Sequence, residues 1–170
     1  MTHPFDKFLN ILNVFHIEMI ADVRTIPKSR HNPQFNMDGL RDGLKTNSIG
    51  YVHLAGLGGL RKTTIDSINT GWKNSSFRGY ADYMQTLDFK NSLDRLITIA
   101  REKVTAIMCA EAVPWRCHRS LIGDALLVRD FKVEDIISDR TSTPHKLTSW
   151  AKVDGYTITY PGYLPRNNVS

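Results

Sequence analysis

The sequence is poor in cysteine and has no long hydrophobic run, and each shortage excludes a class of protein. Two cysteines among 170 residues are too few for a disulfide framework, so we expect them as thiols or metal ligands. No apolar run approaches the roughly 20 residues that span a bilayer. The polar start also differs from a secretory signal, which places a charged segment before an apolar one. We therefore expect a cytoplasmic protein that does not contact a membrane.

The rest of the composition is that of an ordinary globular domain. Hydrophobic residues make up 41% and charged residues 23% of the chain, without a repeat or a low-complexity segment. We expect residues 1–170 to form one domain, because a chain of this length can bury a sizeable core. Basic residues outnumber acidic ones by 22 to 17, giving a net charge of +5. This surplus favours an anionic partner, such as a nucleotide or a nucleic acid.

Apolar runs and amphipathic segments alternate along the chain. The runs predict strands at 17–23, 49–54, 104–109 and 133–137. A first helix is predicted to open at Pro4, with Thr2 or His3 as its cap. Helical spacing predicts further helices over 37–45, along the face 80–87, over 89–103 and after Cys117. A short helix at 145–150 and a late strand or edge hairpin at 156–160 are also expected. This alternation predicts an α/β fold with a mostly parallel sheet.

One stretch, residues 108–119, concentrates the chemistry of the chain. It follows the strand at 104–109 and precedes a helix, and its reactive residues are Cys109, Glu111, Arg116, Cys117, His118 and Arg119. In an open α/β sheet such turns lie at the carboxyl ends of strands, where ligands bind, and a helix start favours anions. The ends of two other strands carry Asp22 with Arg24, and His53. We expect these residues, with Arg30, to form an anion-binding crevice.

Several short motifs resemble those of one family, DUF488, a domain of unknown function. They are Asp22-Val23-Arg24, Pro27-Lys28-Ser29-Arg30, Asn32-Pro33-Gln34-Phe35-Asn36, His53-Leu54, Leu57-Gly58-Gly59, Phe77-Arg78-Gly79-Tyr80-Ala81-Asp82-Tyr83-Met84 and the stretch from Cys109 to Arg119. They fall in order between about residues 2 and 160. The resemblance implies a Rossmann-like three-layer α/β sandwich and names no reaction or cofactor. It also implies a first strand before the segment 2–5, and we expect that strand to be missing from this sequence.

The first hypothesis for the site is a thiol enzyme, nucleophilic or redox. Cys117 precedes a helix beside arginine and histidine, and these surroundings lower a thiol pKa. Cys109 ends a strand, as in phosphatase-like and rhodanese-like loops, although its spacing to Arg116 is one residue too long for a true phosphatase. Glu111 would then act as general acid or base and His118 as proton carrier. Anion clamps would come from Arg24, Arg30, Arg116 and Arg119.

Two further hypotheses use the same residues differently. In one, Cys109, Cys117 and His118 bind a metal with His53 as a fourth ligand, although the spacing is not that of a zinc finger. In the other, Glu111, Asp22 and the arginines hydrolyse or transfer a bond in a nucleotide or nucleic acid. The cysteines are then buried hydrophobes. This last hypothesis is our leading prediction from sequence, with the thiol enzyme and a non-enzymatic nucleic-acid or metal module as alternatives.

Purely structural roles stand beside each of these. Asp22 could pair with Arg24 and take no part in a reaction. Phe77, Tyr80 and Tyr83 are expected in the core, and His16 and His145 as ordinary polar residues.

Overall fold

The computed structural model describes residues 4–29, 32–111 and 116–162. Its helices are α1 (Phe5–Val14), α2 (Met37–Thr46), α3 (Ser75–Tyr83), α4 (Leu87–Glu102) and α5 (Arg119–Leu127). Its strands are β1 (Met19–Asp22), β2 (Gly50–His53), β3 (Thr105–Met108), β4 (Glu134–Ile136), β5 (Ser142–Pro144), β6 (Lys152–Asp154) and β7 (Thr157–Thr159). No helix in these ranges is long and apolar enough to cross a membrane.

The central sheet has the strand order β2-β1-β3, and both pairings are parallel. The register places Asp22 opposite His53 on one side and opposite Met108 on the other. The backbone continues this contact, since the N–H of Val23 donates to the carbonyl of Met108 over 2.9 Å. The carboxyl ends of all three strands therefore meet at one edge of the sheet.

Successive residues of a strand point to opposite faces of the sheet, and in β1 both faces carry buried apolar side chains. Ile20 packs in a cluster with Leu12 of α1 and Leu40 of α2. Ala21, its neighbour in β1, packs in a second cluster with Leu93 of α4 and with residues of α5. Helices thus cover the sheet on both faces, and the α/β class is confirmed. The Rossmann-like three-layer sandwich stays a prediction.

Local side chains set the starts of the helices. The Asn74 side chain accepts from the N–H groups of Ser76 and Phe77, so α3 begins well before the predicted helical face. Thr86 caps α4 in the same way. The helix predicted to open at Pro4 begins one residue later, at Phe5, with Pro4 itself at the cap position. The proposed caps, Thr2 and His3, lie outside the described residues.

The chain after α5 corrects two predictions. The strand at 133–137 exists as β4, but it pairs antiparallel with β5 and does not join the central sheet. The helix at 145–150 is wrong: residues 145–148 have no regular structure. The backbone N–H of Thr148 donates to the Asp124 carboxylate, so a distant buried acid takes up this amide. The expected late hairpin is present as β6 and β7, with Gly155 between them at a φ of 58°.

Candidate active site

A cavity of about 350 Å³ opens at the carboxyl edge of the central sheet. Its walls come from the loop after β1, from the glycine loop at Gly59 and Leu60, from the start of α3, from the residues that follow β3 and from those just before α5. Six residues singled out from sequence line it together: Arg24, Cys109, Glu111, Arg116, Cys117 and His118. Parallel strands thus bring the described residues of the stretch 108–119 to the carboxyl edge of the sheet.

Two thiols lie side by side at this cavity. The Sγ atoms of Cys109 and Cys117 are 2.7 Å apart, and both residues are free cysteines. The separation is only about 0.6 Å longer than a disulfide bond of about 2.05 Å. Cys109 is 6% exposed and Cys117 is 4% exposed, so bulk water has little access to either sulfur. The pair is positioned for a reaction in which the two sulfurs bond to each other.

The surroundings give the two sulfurs unequal affinities for a proton. The pKa of Cys117 is lowered, chiefly by a hydrogen bond from the Cys109 thiol and also by His118 and Arg119. The Arg119 Nε donates to the Cys117 Sγ over 3.4 Å. The pKa of Cys109 is raised, because its proton is held in the hydrogen bond to Cys117 and because the residue is buried. Cys117 is therefore the thiolate and Cys109 the thiol.

His118 sits between the thiolate and the glycine loop. Its Nδ1 is 3.5 Å from the Cys117 Sγ, and its ring lies 5.0 Å from that of Tyr80. A Cβ atom added at Gly59 would be 2.5 Å from this Nδ1, so the close approach requires glycine. The other ring nitrogen, Nε2, is buried without a hydrogen-bond partner among the described residues. An Nδ1–H that donates to the thiolate fits this setting best, because a protonated Nε2 would be buried unpaired.

The same three side chains fit a metal ion poorly. The donor atoms of Cys109, Cys117 and His118 lie within 4.8 Å of one another. However, two thiolates on one tetrahedral zinc, each at about 2.3 Å, are held about 3.8 Å apart. The observed 2.7 Å is much shorter, and the Arg119 guanidinium occupies the side of Cys117. His53, the fourth ligand suggested from sequence, is not in this group, and its Nε2 donates to the carbonyl of Arg24.

Asp22 and Arg24 form a buried ion pair at the cavity, in which Arg24 is part of the lining and Asp22 lies behind it. The Arg24 Nη2 donates to the Asp22 carboxylate over 2.6 Å, and the Tyr51 hydroxyl donates to the same oxygen over 2.7 Å. The Arg24 Nε also donates to the Asp22 carboxylate, and Nη1 donates to the carbonyl of Phe35. Asp22 is fully buried and is not part of the cavity lining. These two side chains therefore join β1 to β2 and to the turn at Phe35, and all three Arg24 nitrogens are engaged.

The other predicted arginines differ in position. Arg116 is exposed where it lines the cavity, whereas Arg119 is half-buried. Besides its bond to Cys117, Arg119 donates through Nη2 to the Glu111 carbonyl over 2.6 Å. The backbone N–H of Glu111 in turn donates to the Cys109 Sγ over 3.2 Å. Glu111 and Arg119 thus hold the two sulfurs in place. Arg30 lies outside the described residues.

Part of the cavity wall was missed from sequence. Ile26, Leu60 and Phe77 supply apolar wall, and none had been assigned to the site. The glycine pair Gly58-Gly59 was the available signal. Its significance is a close approach to His118, which sequence spacing does not reveal.

Comparison with known proteins identifies the family of the chain. The model of the family described as Domain of unknown function DUF488 matches residues 4–126. This match spans most of the sequence, so the chain belongs to the DUF488 family. Neither a curated protein nor a solved structure matches it.

Proposed function

We propose that this member of the DUF488 family is a thiol-dependent enzyme that reduces a sulfur–sulfur bond. The observation that carries the proposal is the 2.7 Å separation between the Sγ atoms of Cys109 and Cys117 at a substrate-sized cavity. Small-molecule pockets have volumes of roughly 300–1,000 Å³, and this cavity falls within that range. The sequence favoured a nucleotide hydrolase or transferase over the thiol enzyme, and the geometry reverses that order.

Cys117 is the attacking residue in this proposal. Its thiolate lies just before α5, where the positive end of the helix dipole favours negative charge. Arg119 and His118 add side-chain donors at 3.4 Å and 3.5 Å. Three independent sources of positive potential therefore stabilise the anionic sulfur.

The reaction takes two steps. In the first, the Cys117 thiolate attacks one sulfur of a disulfide substrate, forms a mixed disulfide and releases the other half as a thiolate. In the second, Cys109 gives its proton to a departing sulfur and attacks the Cys117 Sγ, which forms the Cys109–Cys117 disulfide and releases the second half. The substrate gains two electrons and the protein loses two. A dithiol reductant would return the enzyme to its starting state.

The hydrolase hypothesis has weaker support. It requires Asp22 to face the same crevice as Glu111, but Asp22 is buried behind the wall and bonded to Arg24. Binding of an anion at the cavity remains part of the proposal, because Arg116 is exposed on its lining. In a thiol enzyme this arginine would attract a carboxylate or phosphate carried by the substrate.

Alkylation by iodoacetamide, followed by mass spectrometry at each cysteine, tests the thiolate directly. We expect Cys117 to react below neutral pH and Cys109 to react only at much higher pH. The chain has no third cysteine, so the assignment is unambiguous. The proposal fails if both cysteines resist the reagent until the protein is unfolded.

A disulfide probe then tests the order of the two steps. With hydroxyethyl disulfide, the wild-type protein should end as an intramolecular Cys109–Cys117 disulfide. Cys109→Ser should stop at a mixed disulfide on Cys117, whereas Cys117→Ser should lose most of its reaction rate. Equal rates for Cys117→Ser and the wild type would contradict the assignment of the nucleophile.

A further inference from the structure

A second cluster of titratable side chains lies on the far part of α5, away from the thiols. Asp124 is fully buried, and its Oδ1 is 3.0 Å from the Nε2 of His145. The Nδ1 of the same histidine is 2.9 Å from the Oδ2 of Asp135 in β4. We call Asp124, His145 and Asp135 the clasp.

The clasp holds a charged histidine. Both ring nitrogens face carboxylate oxygens, which accept hydrogen bonds, so each nitrogen must carry a proton. The two carboxylates are the charged groups that face the ring: Asp124 from α5 and Asp135 from β4. The pKa of His145 is raised, chiefly by the hydrogen bond to Asp124. With its side chain only 8% exposed, the imidazolium depends on these partners and not on water.

Asp124 also fastens the chain that follows the clasp. Its Oδ1 accepts the N–H of Thr148, and its Oδ2 accepts the hydroxyl of Tyr160 over 2.9 Å. His145 lies directly on the helix backbone, because a Cβ at Gly123 would be 2.7 Å from its Nε2. One buried carboxylate therefore secures residues 145–160 against α5, and this segment lies beyond the residues that match the family.

The fastened segment reaches the cavity through a row of aromatic rings. Tyr160 lies 5.5 Å from Trp72, and Trp72 stacks on Phe77 with 4.8 Å between ring centroids. Phe77 is part of the cavity wall. The helix that carries Asp124 also begins beside Cys117, so the clasp is connected to the site indirectly by two routes, the aromatic row and α5.

We propose that the clasp is a proton-dependent fastening of the cavity wall, in which His145 is a positioning residue for the thiol site. This inference names a regulation of the site and rests on the function proposed above. While His145 is charged, the segment 145–160 stays packed on α5, and its last residue, Tyr160, keeps Trp72 and Phe77 in place. When His145 loses its proton, one of its two carboxylate bonds is lost and the wall loosens.

The direction of the pH effect follows from the raised pKa. Stability supplied by a group whose pKa is higher in the folded state is complete below its unfolded value, about 6.5 for histidine. It is lost as the pH rises through the higher folded value. The cavity wall should therefore be firm in weakly acidic solution and loosen on the alkaline side.

Titration of the histidine ring by NMR and of tryptophan fluorescence tests the clasp without reference to any reaction. We expect the two titrations of the wild type to share one midpoint, above that of an ordinary histidine. Asp135→Asn removes the more exposed carboxylate and should shift both midpoints to lower pH. His145→Gln should abolish the fluorescence step, while His16→Gln, at an exposed histidine, should leave it unchanged. A step that survives in His145→Gln, or a midpoint that Asp135→Asn leaves in place, would overturn the proposal.

The link to the thiol site is tested by the rate of Cys117 alkylation over the same pH range. We expect a second step in this rate at the fluorescence midpoint of the wild type. It should move with Asp135→Asn and disappear in His145→Gln. A reactive Cys117 with no such step would refute the positioning role. If Cys117 is unreactive in the wild type, the proposed function fails, and the NMR and fluorescence titrations still decide whether the clasp exists.

Discussion

Asp22 and Asp124 are both fully buried carboxylates, and the difference lies in their cationic partners. Asp22 is paired with Arg24, whose guanidinium keeps its proton at every pH a protein meets. Asp124 is paired with His145, whose imidazolium can lose its proton as the pH rises. A tyrosine hydroxyl donates a hydrogen bond to each carboxylate, from Tyr51 to Asp22 and from Tyr160 to Asp124. We call the Asp22–Arg24 pair the fixed joint, because it keeps its charges at every pH a protein meets. The Asp124–His145 pair is a second joint, which breaks when the histidine loses its proton.

The largest effect should come from breaking the fixed joint. Asp22→Asn keeps the shape of the side chain but leaves the Arg24 guanidinium buried without its counter-charge. Removal of one partner of a buried pair costs about 3–5 kcal/mol of unfolding free energy. Urea denaturation at pH 7 measures the loss. A value below about 1 kcal/mol would show that water reaches Arg24, which is 7% exposed here.

The two tyrosines separate the hydrogen bond from the charge. Tyr51→Phe and Tyr160→Phe each remove one hydroxyl that donates to a buried carboxylate, at 2.7 Å and 2.9 Å. A hydrogen bond to a charged group contributes about 1.5–3 kcal/mol. We expect the larger loss of unfolding free energy for Tyr160→Phe, because Tyr160 is fully buried and Tyr51 is half-buried. Denaturation of both variants under the conditions used for Asp22→Asn gives the comparison, and a larger loss for Tyr51→Phe would contradict it.

The two joints also mark how far sequence reasoning extends. The sheet and its helices were predicted because apolar runs and helical spacing are local patterns. The position of Cys109 and Cys117 followed from the same patterns, since residues after parallel strands meet at one edge. The 2.7 Å contact between the sulfurs was not predictable, because it depends on the tertiary packing of the residues that follow β3 against the start of α5.

Asp124 shows the opposite limit. No local pattern paired it with His145, which was expected to be an ordinary polar residue. Their contact joins residues 21 positions apart and depends on the path of β4 and β5. The same contact explains the wrong helix at 145–150, because Asp124 holds the N–H of Thr148. Buried polar partners of this kind are set by tertiary structure, which overrides local propensity.

The smallest effect should come from an ion pair that shares the chemistry of these joints but not their burial. Lys90 and Asp94 are one turn apart on α4, with 2.8 Å between Nζ and Oδ2, and their side chains are 61% and 52% exposed. Exposed pairs at this spacing contribute about 0.3–0.5 kcal/mol, because water and salt screen the charges. Asp94→Asn is thus the matched control for Asp22→Asn, and it should lower the urea midpoint only slightly, with the difference vanishing in 1 M salt. A loss close to that of Asp22→Asn would mean that the charge change itself, and not the burial of Arg24, governs the effect.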